Sequence, residues 1–417
     1  MLSGTMAQRV EVVPAAAPSK RWRVAAGMLG PAVVASVAYV DPGNFATNIE
    51  GGARYGYRLL WVVVLASTTA MLVQYLSAKL GLVTGSDLAE LCRDRFRRPV
   101  TVGLWLQGEA AAMATDVAEF VGAAVALKLL FRMPLLLCGA VTAVAAFAVL
   151  GVQQRSHRRF EAAIAALLVF VVAGFLYETL RIEPDPGKAA AGLVPGFSGA
   201  GSVTLAVGIV GATVMPHAVY AHSALTANHR RRGVGGTRTV GHERIDVVLA
   251  LGLAGLVNAA MLAVSARLLS GKGDGVATLV GAHRELAHQV GGLAALTFAV
   301  ALLAAGISSS SVGTYAGQVV MGGFLRRRVP LVVRRTVTMV PALIVLAVGT
   351  EPTDALVLSQ VVLSFCVPFA LVPLVVLTSR RSVMGRHVNA PLTVVAASLV
   401  TAVIVGLNVY LLVAQLS

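Results

Sequence analysis

Apolar stretches of about 20 residues recur along the whole chain, and this pattern restricts the fold more than any other feature. An α-helix needs about 20 consecutive apolar residues to cross a bilayer. Of the 417 residues, 57% are hydrophobic and only 13% are charged, with a mean hydropathy of +0.80. A soluble protein carries about 25% charged residues. The alternation over about 10 residues that is typical of transmembrane β-strands is not seen. We therefore predict an all-α polytopic membrane protein.

The apolar stretches predict eleven transmembrane helices and no large soluble domain. Their bounds are 27–53, 57–83, 102–131, 134–152, 159–180, 200–228, 243–270, 284–312, 331–349, 353–377 and 389–416. Residues 1–24 contain no long apolar segment followed by a small-residue cleavage site, so they are predicted to be a cytoplasmic tail.

The distribution of positive charge predicts the orientation. With the N-terminus inside, the inner segments hold 22 of the 34 Lys and Arg residues and the outer loops hold seven. Because cytoplasmic loops are enriched in Lys and Arg, we expect a cell-membrane protein with its N-terminus inside and its C-terminus outside. The net charge of +15 comes from short clusters without interleaved aromatic residues, which argues against nucleic acid as a partner.

The three cysteines, Cys92, Cys138 and Cys366, are isolated in the sequence. They form no CxxC pair and no pairing pattern, so neither a disulfide framework nor a zinc site is expected from them.

Two of the predicted spans are interrupted near their middle. The first contains Asp41-Pro42-Gly43-Asn44 about 14 residues from its start, and the sixth contains Met215-Pro216-His217 about 15 residues from its start. A proline removes a backbone donor and clashes with the preceding turn. A single proline in a transmembrane helix usually produces only a kink. Two breaks at matching depths, one with a carboxylate, favour a binding site instead, because a buried acid needs a partner.

The two breaks lie five spans apart, which predicts two five-helix repeats. Since five is odd, the second repeat must enter the membrane from the opposite side, as in transporters with inverted repeats and a site between two broken helices. The predicted segments are the tail 1–24, the first repeat 25–180, an outer loop 181–199, the second repeat 200–377 and an eleventh helix 389–417.

The breaks offer ligands that suit a transition metal. They contain the Asp41 carboxylate, the Asn44 amide, the Met215 thioether and freed carbonyls such as those of Ala38 and Ala212. The C-terminal ends of half-helices attract cations. Magnesium and calcium take oxygen ligands, whereas manganese, iron(II), cobalt and cadmium accept or prefer mixed oxygen and sulfur ligands. A methionine in an apolar helix is usually core filling, but Met215 lies beside a break.

The third span carries three acids that share one helix face, Glu109, Asp116 and Glu119. Such acids are typical of proton relays, although a structural ion-pair network is an alternative. Arg334 and Arg335 in the ninth span are suitable partners.

Two histidines follow the second break. His217 and His222 lie about 140° apart on a helix, so at most one faces the site. That histidine could pass protons or serve only as a hydrogen-bonded packing residue.

Six segments of the chain closely resemble the Nramp (natural resistance-associated macrophage protein) family. They are DPGNFATN, LVQYLSAKLGLVTGSDLAELC, ATDVAEFVGAAVAL, GATVMPH with HSAL, SSVGTYAGQVVMGGF and LSQVVLS. The resemblance implies a LeuT-type fold and proton-coupled import of divalent transition metals, chiefly manganese and iron(II). The metal would be the transported substrate, no permanently bound cofactor is expected, and we expect a monomer.

The resemblance also implies roles for individual residues. The metal ligands would be Asp41, Asn44, Met215 and the Ala212 carbonyl, with the Ala38 carbonyl added in an inward-facing state and Gln360 in an outward-facing one. The proton route would run from Asp41 to Asp116 and Glu119 and then towards Arg334 and Arg335, with His217 and Glu109 in support.

The chain departs from the family pattern at three positions. Ala218 and Ala221 replace an Asn and a Leu after the second break, and Cys366 replaces a Gln. Cys366 lies about 120° around a helix from Gln360, so we do not expect it to be a ligand.

Other functions stay open at this point. A LeuT-type symporter of amino acids or another solute is an alternative that the fold alone permits. A magnesium-transporting relative is disfavoured by Met215, and a channel by the two half-helices that meet at one site. No nucleophile–base pair and no nucleotide-binding loop is found, so we do not expect an enzyme or an ATP-driven pump.

Overall fold

The computed structural model describes residues 31–155, 157–231, 240–326 and 330–416, which form helices and loops and contain no strand. The predicted tail 1–24 and the start of the first predicted span lie outside the described residues. The first half of the chain contains α1 (Pro31–Ala38), α2 (Pro42–Tyr55), α3 (Leu60–Thr84), α4 (Leu88–Arg95), α5 (Arg98–Phe131), α6 (Leu135–Arg155), α7 (His157–Ile182) and α8 (Pro186–Ala191). The second half contains α9 (Ala200–Thr213), α10 (Pro216–Arg231), α11 (Val240–Leu269), α12 (Leu279–Gln289), α13 (Gly292–Leu325), α14 (Leu331–Val348), α15 (Pro352–Thr378), α16 (Arg381–Met384) and α17 (Pro391–Leu416).

Eight helical segments within the described residues are long and apolar enough to cross a membrane. They are Pro42–Thr84, Arg98–Phe131, Ala165–Ile182, Ala200–Arg231, Val240–Leu269, Gly292–Leu325, Pro352–Thr378 and Pro391–Ala414. Leu135–Ala148 is a shorter apolar helix. The protein is therefore a multi-pass membrane protein, and the number of eleven crossings stays a prediction.

The bounds predicted for the eighth span, 284–312, are wrong. This range straddles the end of α12 at Gln289 and the start of α13 at Gly292, and α13 continues to Leu325. Gly291 between the two helices has a φ of 116°, a conformation that favours glycine and ends the preceding helix. Residues 284–290 (RELAHQV) are largely polar and the apolar stretch begins only after Gly291, so the predicted start of this span lies too early in the sequence.

The two broken helices lie inside the bundle. α2 packs against α9, α11 and α15, while α10 packs against α3 and α13. α5 contacts α13, α14 and α15. Pro42 at the first break lies so close to α5 that a Cβ on Gly122 would be 2.1 Å from the proline Cβ.

Large apolar side chains cover the outside of the bundle. Leu392 and Val348 are 80% and 75% exposed, and Val144, Leu180, Leu249 and Leu256 are also largely exposed. Exposed apolar surface of this extent suits contact with lipid rather than water.

Candidate metal-binding site

The first break separates α1 from α2. α1 ends at Ala38, and Asp41 is the N-cap residue of α2, with Pro42 as the first helical residue. In a continuous helix the Ala38 carbonyl would accept the N–H of residue 42, and a proline has none. The Asp41 Oδ1 atom accepts the backbone N–H of Asn44 at 2.8 Å, which satisfies one of the free donors at the start of α2. The break thus frees a carbonyl and fixes a carboxylate beside it.

The second break repeats this geometry between α9 and α10. α9 ends at Thr213, and α10 begins at Pro216. Pro216 follows Ala212 by four residues, as Pro42 follows Ala38, so the Ala212 carbonyl also loses its helical donor. Met215 lies between the two half-helices and is fully buried.

A hydrogen-bonded amide joins the two breaks. Asn44 Nδ2 donates to Asp41 Oδ1 at 2.7 Å and to the Ala212 carbonyl at 3.0 Å. Thr213 Oγ1 donates to Asn44 Oδ1 at 3.4 Å. The positively polarised NH2 group therefore lies between a carboxylate oxygen and a carbonyl oxygen from opposite breaks. This position suits a cation, and the amide would then have to rotate, since only its Oδ1 can be a ligand.

Buried acceptors at the breaks have unused capacity. Asp41 is 0% exposed, and its Oδ2 atom has no hydrogen-bond partner among the described residues. The Gln360 Oε1 atom is also buried without a described partner. A buried acceptor without a partner is costly, so a ligand that binds these oxygens is favoured.

Gln360 of α15 lies against both broken helices. A Cβ on Gly43 would be 2.2 Å from Gln360 Nε2, and a Cβ on Gly211 would be 1.9 Å from the Gln360 carbonyl oxygen. The two glycines therefore permit α15 to approach the first break and the end of α9 at once. Asp41, Asn44, Ala212 and Gln360 are thus gathered at one place, while Ala38 and Met215 are buried within the breaks themselves.

The donor set differs from that of a structural metal site. No group of three or more His, Cys, Asp or Glu residues that could hold a metal occurs within the described ranges. A divalent ion at the breaks would meet one carboxylate, neutral amide and carbonyl oxygens, and a thioether. Such a mixed set suits the softer divalent transition metals better than magnesium or calcium.

The acids of α5 divide between two neighbouring helices. Glu109 forms an ion pair with Arg334 of α14 at 3.3 Å, and Asp116 forms one with Arg335. Arg335 also donates to Ser310 and Thr314 of α13. A Cβ on Gly317 would lie 1.8 Å from the Arg334 guanidinium, so this glycine makes room for the arginine.

Glu119 has a different partner from the other two acids. Its Oε1 atom accepts a hydrogen bond from Ser309 of α13 at 2.7 Å, and its Oε2 atom is buried without a described partner. No salt bridge to Glu119 is found within the described residues. The acids therefore form a row from the partly buried Glu109 to the buried Glu119, and Glu119 is not neutralised by an arginine among the described residues.

The two histidines have separate partners, as their angular separation predicts. His217 Nδ1 is 3.0 Å from Thr115 Oγ1, and its Nε2 atom is buried without a described partner. His222 Nδ1 is 2.9 Å from Gln74 Oε1. His217 thus connects the second break with α5.

Several polar residues that support the first break were missed by the sequence analysis. Gln74 Nε2 donates to the Tyr39 hydroxyl at 2.6 Å, and Asn258 Nδ2 donates to the Tyr39 carbonyl at 2.8 Å. Asn48 donates in turn to Asn258 at 3.0 Å. These amides attach the break to α3 and α11. Their only signal in the sequence is an uncharged polar residue within an apolar stretch.

The residues that depart from the family pattern are packing residues here. Ala218 and Ala221 are buried, and Cys366 packs with Ala111 and Leu363. The Cys366 carbonyl accepts a hydrogen bond from Gln107 at 3.1 Å.

Known proteins are similar to this chain over nearly its whole length. The family model described as natural resistance-associated macrophage protein-like matches residues 32–414. The divalent metal cation transporter MntH of Bacillus subtilis (strain 168) is 49% identical over 391 residues, which cover 92% of this chain and 91% of that protein.

Solved structures agree with this assignment. A manganese transporter from Eremococcus coleocola, solved with an aromatic bis-isothiourea substituted compound, matches with a TM-score of 0.82 and 31% identity over 95% of this chain and 87% of that chain. MHP1, a nucleobase-cation-symport-1 family transporter, matches at 15% identity with a TM-score of 0.57 over 93% of this chain and 92% of its own, a likeness of fold alone. The chain therefore belongs to the natural resistance-associated macrophage protein (Nramp) family of membrane transporters and is not an enzyme.

Proposed function

We propose that this protein is a secondary-active importer that moves divalent transition metals, manganese or iron(II) and also cadmium and cobalt, together with protons by alternating access. It would act as a monomer in the cell membrane, with the N-terminus inside and the C-terminus outside. The fold would be of LeuT type, with eleven crossings and two inverted five-helix repeats.

The observation that carries this proposal is the contact between the two breaks. Asn44 Nδ2 bonds to Asp41 Oδ1 of the first break and to the Ala212 carbonyl of the second. The likeness of the chain to proteins named as divalent metal cation and manganese transporters supports a metal as the substrate. Asp41, Asn44, Met215 and Ala212 would be the ligands, with Ala38 and Gln360 joining in opposite states.

Proton movement would follow the polar residues that lead away from the breaks. His217, bonded to Thr115, and Glu119, bonded to Ser309, both keep a buried atom without a described partner. A proton could be held at either atom. The ion pairs of Asp116 and Glu109 with Arg335 and Arg334 would hold the charges that shape the route.

Uptake by the purified protein in liposomes tests the proposal. Manganese, iron(II), cadmium, cobalt and magnesium would be offered separately, with a pH-sensitive dye inside the vesicles. We expect uptake of manganese and iron(II) with acidification of the lumen, and little magnesium uptake. Absence of transition-metal uptake would refute the transport function, and uptake without acidification would refute proton coupling. Preferential magnesium uptake would favour the magnesium-transporting relatives instead.

A further inference from the structure

A cavity of about 590 Å³ with several charged residues in its lining lies at the opposite end of α2 from Asp41. It is formed by the turn after α2, the segment around α8 and the end of α11, on the side that is predicted to face outward. Its lining includes Tyr57, Arg58, Asp185, Lys188, Arg267 and Ser270. No part of the proposed transport mechanism uses these residues.

The lining has more positive than negative charge. Arg58, Lys188 and Arg267 face a single acid, Asp185. Asp185 Oδ1 accepts the backbone N–H groups of Gly187 and Lys188 at 2.9 and 3.1 Å. These bonds lower the pKa of Asp185, so it stays ionised but is already engaged. The cavity therefore has two cations that Asp185 does not balance.

The cations of the cavity have little competition from protein partners. Arg58 donates to the neutral Ser198 hydroxyl at 2.6 Å. Arg267 makes no hydrogen bond or ion pair with any residue that the structure describes, and Lys188 is 4.0 Å from Asp185. The Tyr57 hydroxyl accepts the Asp185 N–H at 3.0 Å, which leaves its own proton free to donate. Arg58, Arg267 and the Tyr57 hydroxyl are thus available for an anion, with Lys188 beside them in its ion pair with Asp185.

The walls of the cavity are joined by close backbone contacts. Trp61 N–H donates to the Gly192 carbonyl at 3.0 Å. A Cβ on Gly192 would be 2.2 Å from the Tyr57 carbonyl oxygen, so the segment after α8 lies directly on the turn after α2. Two chain segments that carry cations are thereby held together before any ligand binds.

We propose that this outer cavity binds an anion that carries phosphate groups. Arginine guanidinium groups match phosphate oxygens in a bidentate geometry. Cavities of about 300–1,000 Å³ hold small molecules, so the site has room for more than one phosphate group. The anion would be either a soluble diphosphate or the headgroup of an anionic phospholipid, and both supply the same oxygens. The proposal concerns binding alone and does not depend on metal transport.

Binding measurements on the full chain in lipid nanodiscs test this proposal. One arm titrates sodium pyrophosphate calorimetrically into protein in phosphatidylcholine discs. The other arm counts phosphatidylglycerol molecules retained by the protein in native mass spectrometry. We compare the wild type with the double variant Arg58→Gln/Arg267→Gln and with Arg284→Gln, which removes an exposed cation that does not line the cavity.

We expect the pyrophosphate affinity of the double variant to fall by about tenfold or more, or its retained phosphatidylglycerol to be lost. The reason is that contacts between charged groups and phosphate dominate such binding. Arg284→Gln should stay within about twofold of the wild type. If the double variant loses pyrophosphate affinity, the ligand is a soluble anion. If it loses only retained phosphatidylglycerol, the ligand is a lipid. The proposal is overturned if neither probe binds, or if the double variant and Arg284→Gln agree in both arms.

A single variant, Lys188→Gln, keeps the proposal testable if the double variant does not fold. Lys188 is exposed on the short helix α8, and Lys188→Gln should weaken binding in the same direction but less strongly. If the double variant does not elute as a single species, Lys188→Gln with unchanged binding of both probes also overturns the proposal. Manganese uptake by the same variants should be close to that of the wild type, so a failure of binding is distinct from a failure of transport.

Discussion

Buried acids occur in two contrasting regions of this protein, the paired breaks and the interface between α5 and α14. At the breaks, Asp41 accepts hydrogen bonds from Asn44, has no salt bridge to any described residue, and keeps one oxygen without a described partner. On α5, Asp116 and Glu109 each face an arginine. The Asp41 carboxylate thus has no described cationic partner, whereas the charges of Asp116 and Glu109, unlike that of Glu119, are balanced by arginines.

Under the proposed function, this difference would separate a site for the transported metal from a fixed charge network. A lone acid at the bilayer centre costs about 2.5–3.5 kcal/mol on the insertion scale. An arginine can offset that cost permanently, as for Asp116, whereas Asp41 can be compensated only by a proton or a cation that arrives and leaves. We therefore expect variants at the breaks to act on the metal, and variants on α5 to act on protons and stability.

The largest effect is expected at the uncompensated acid. Asp41→Ala should lower manganese uptake in proteoliposomes by more than about 100-fold, since even residues that only orient metal ligands alter affinity by about 10–100-fold. Asp354→Asn, which neutralises an exposed acid at the start of α15, is the control and should transport normally. If Asp41→Ala takes up manganese near the wild-type rate, Asp41 is not a metal ligand and the proposed difference between the breaks and α5 is wrong.

Two glycine variants test how α15 fits against the breaks. A Cβ at Gly211 meets backbone atoms, the Gln360 oxygen at 1.9 Å and Ser364 N at 2.7 Å, so Gly211→Ala should destabilise the fold by about 1–3 kcal/mol or more. The three atoms nearest to a Cβ at Gly43 all belong to the Gln360 side chain, which can rotate. Gly43→Ala should therefore keep the melting temperature of the wild type and lose transport. Equal melting temperatures for the two variants would contradict this contrast.

The helices and the breaks could be predicted from sequence because they depend on local properties. Hydropathy predicts 389–416 where α17 covers Pro391–Leu416, and the prolines mark both breaks. The predicted eighth span is misplaced although the sequence carries a signal there, since the largely polar residues 284–289 and the glycines at 291 and 292 separate α12 from the apolar α13.

Contacts within the site depend on distant parts of the chain, and sequence predicts them only in part. Complementary charge indicated that the α5 acids and the α14 arginines are partners, but not that Glu119 bonds to Ser309 instead. The bond from Asn44 to Ala212 joins residues 168 positions apart. A local sequence pattern cannot predict a contact between residues so far apart in the chain.

Breaking an ion pair on α5 should lower transport only in part, and it should lower proton flux more than manganese flux. Asp116→Asn leaves the buried Arg335 without its acid, which is expected to cost about 3–5 kcal/mol of folding free energy. Proton flux should fall more than manganese flux, measured with an internal pH dye and a metal indicator. The double variant Asp116→Asn/Arg335→Gln should recover part of the lost melting temperature. Equal losses of both fluxes would place Asp116 with the metal ligands.

A smaller effect, on selectivity, is expected for the thioether of the second break. Met215→Leu removes the sulfur at nearly constant volume, so it should cost less than about 1.5 kcal/mol of stability. Competition by magnesium and calcium against manganese should rise by about three- to tenfold, because the soft ligand is lost. Met261→Leu, at another fully buried methionine, is the matched control. Unchanged competition in Met215→Leu would show that the sulfur does not select the metal.

The smallest effect on transport is expected from Asp87, a buried acid between the predicted spans. It caps α4 and accepts the Glu90 N–H at 2.9 Å. Burial, followed by the charge of Glu90, raises its pKa from the usual 3.8 to about 7, although Arg231 acts in the opposite direction. The folded protein therefore binds more protons at this site than the unfolded chain does between these two values.

The sign of the resulting pH dependence follows from that proton balance. The contribution of Asp87 to stability is fully present below pH 3.8 and is lost as the pH rises towards about 7. Asp87→Asn keeps a residue that can cap the helix but removes the titration. Melting temperatures measured at pH 5, 6, 7 and 8 should therefore fall less steeply in the variant, while manganese uptake stays near the wild-type rate. An identical slope in both proteins would mean that burial does not hold Asp87 in its protonated form.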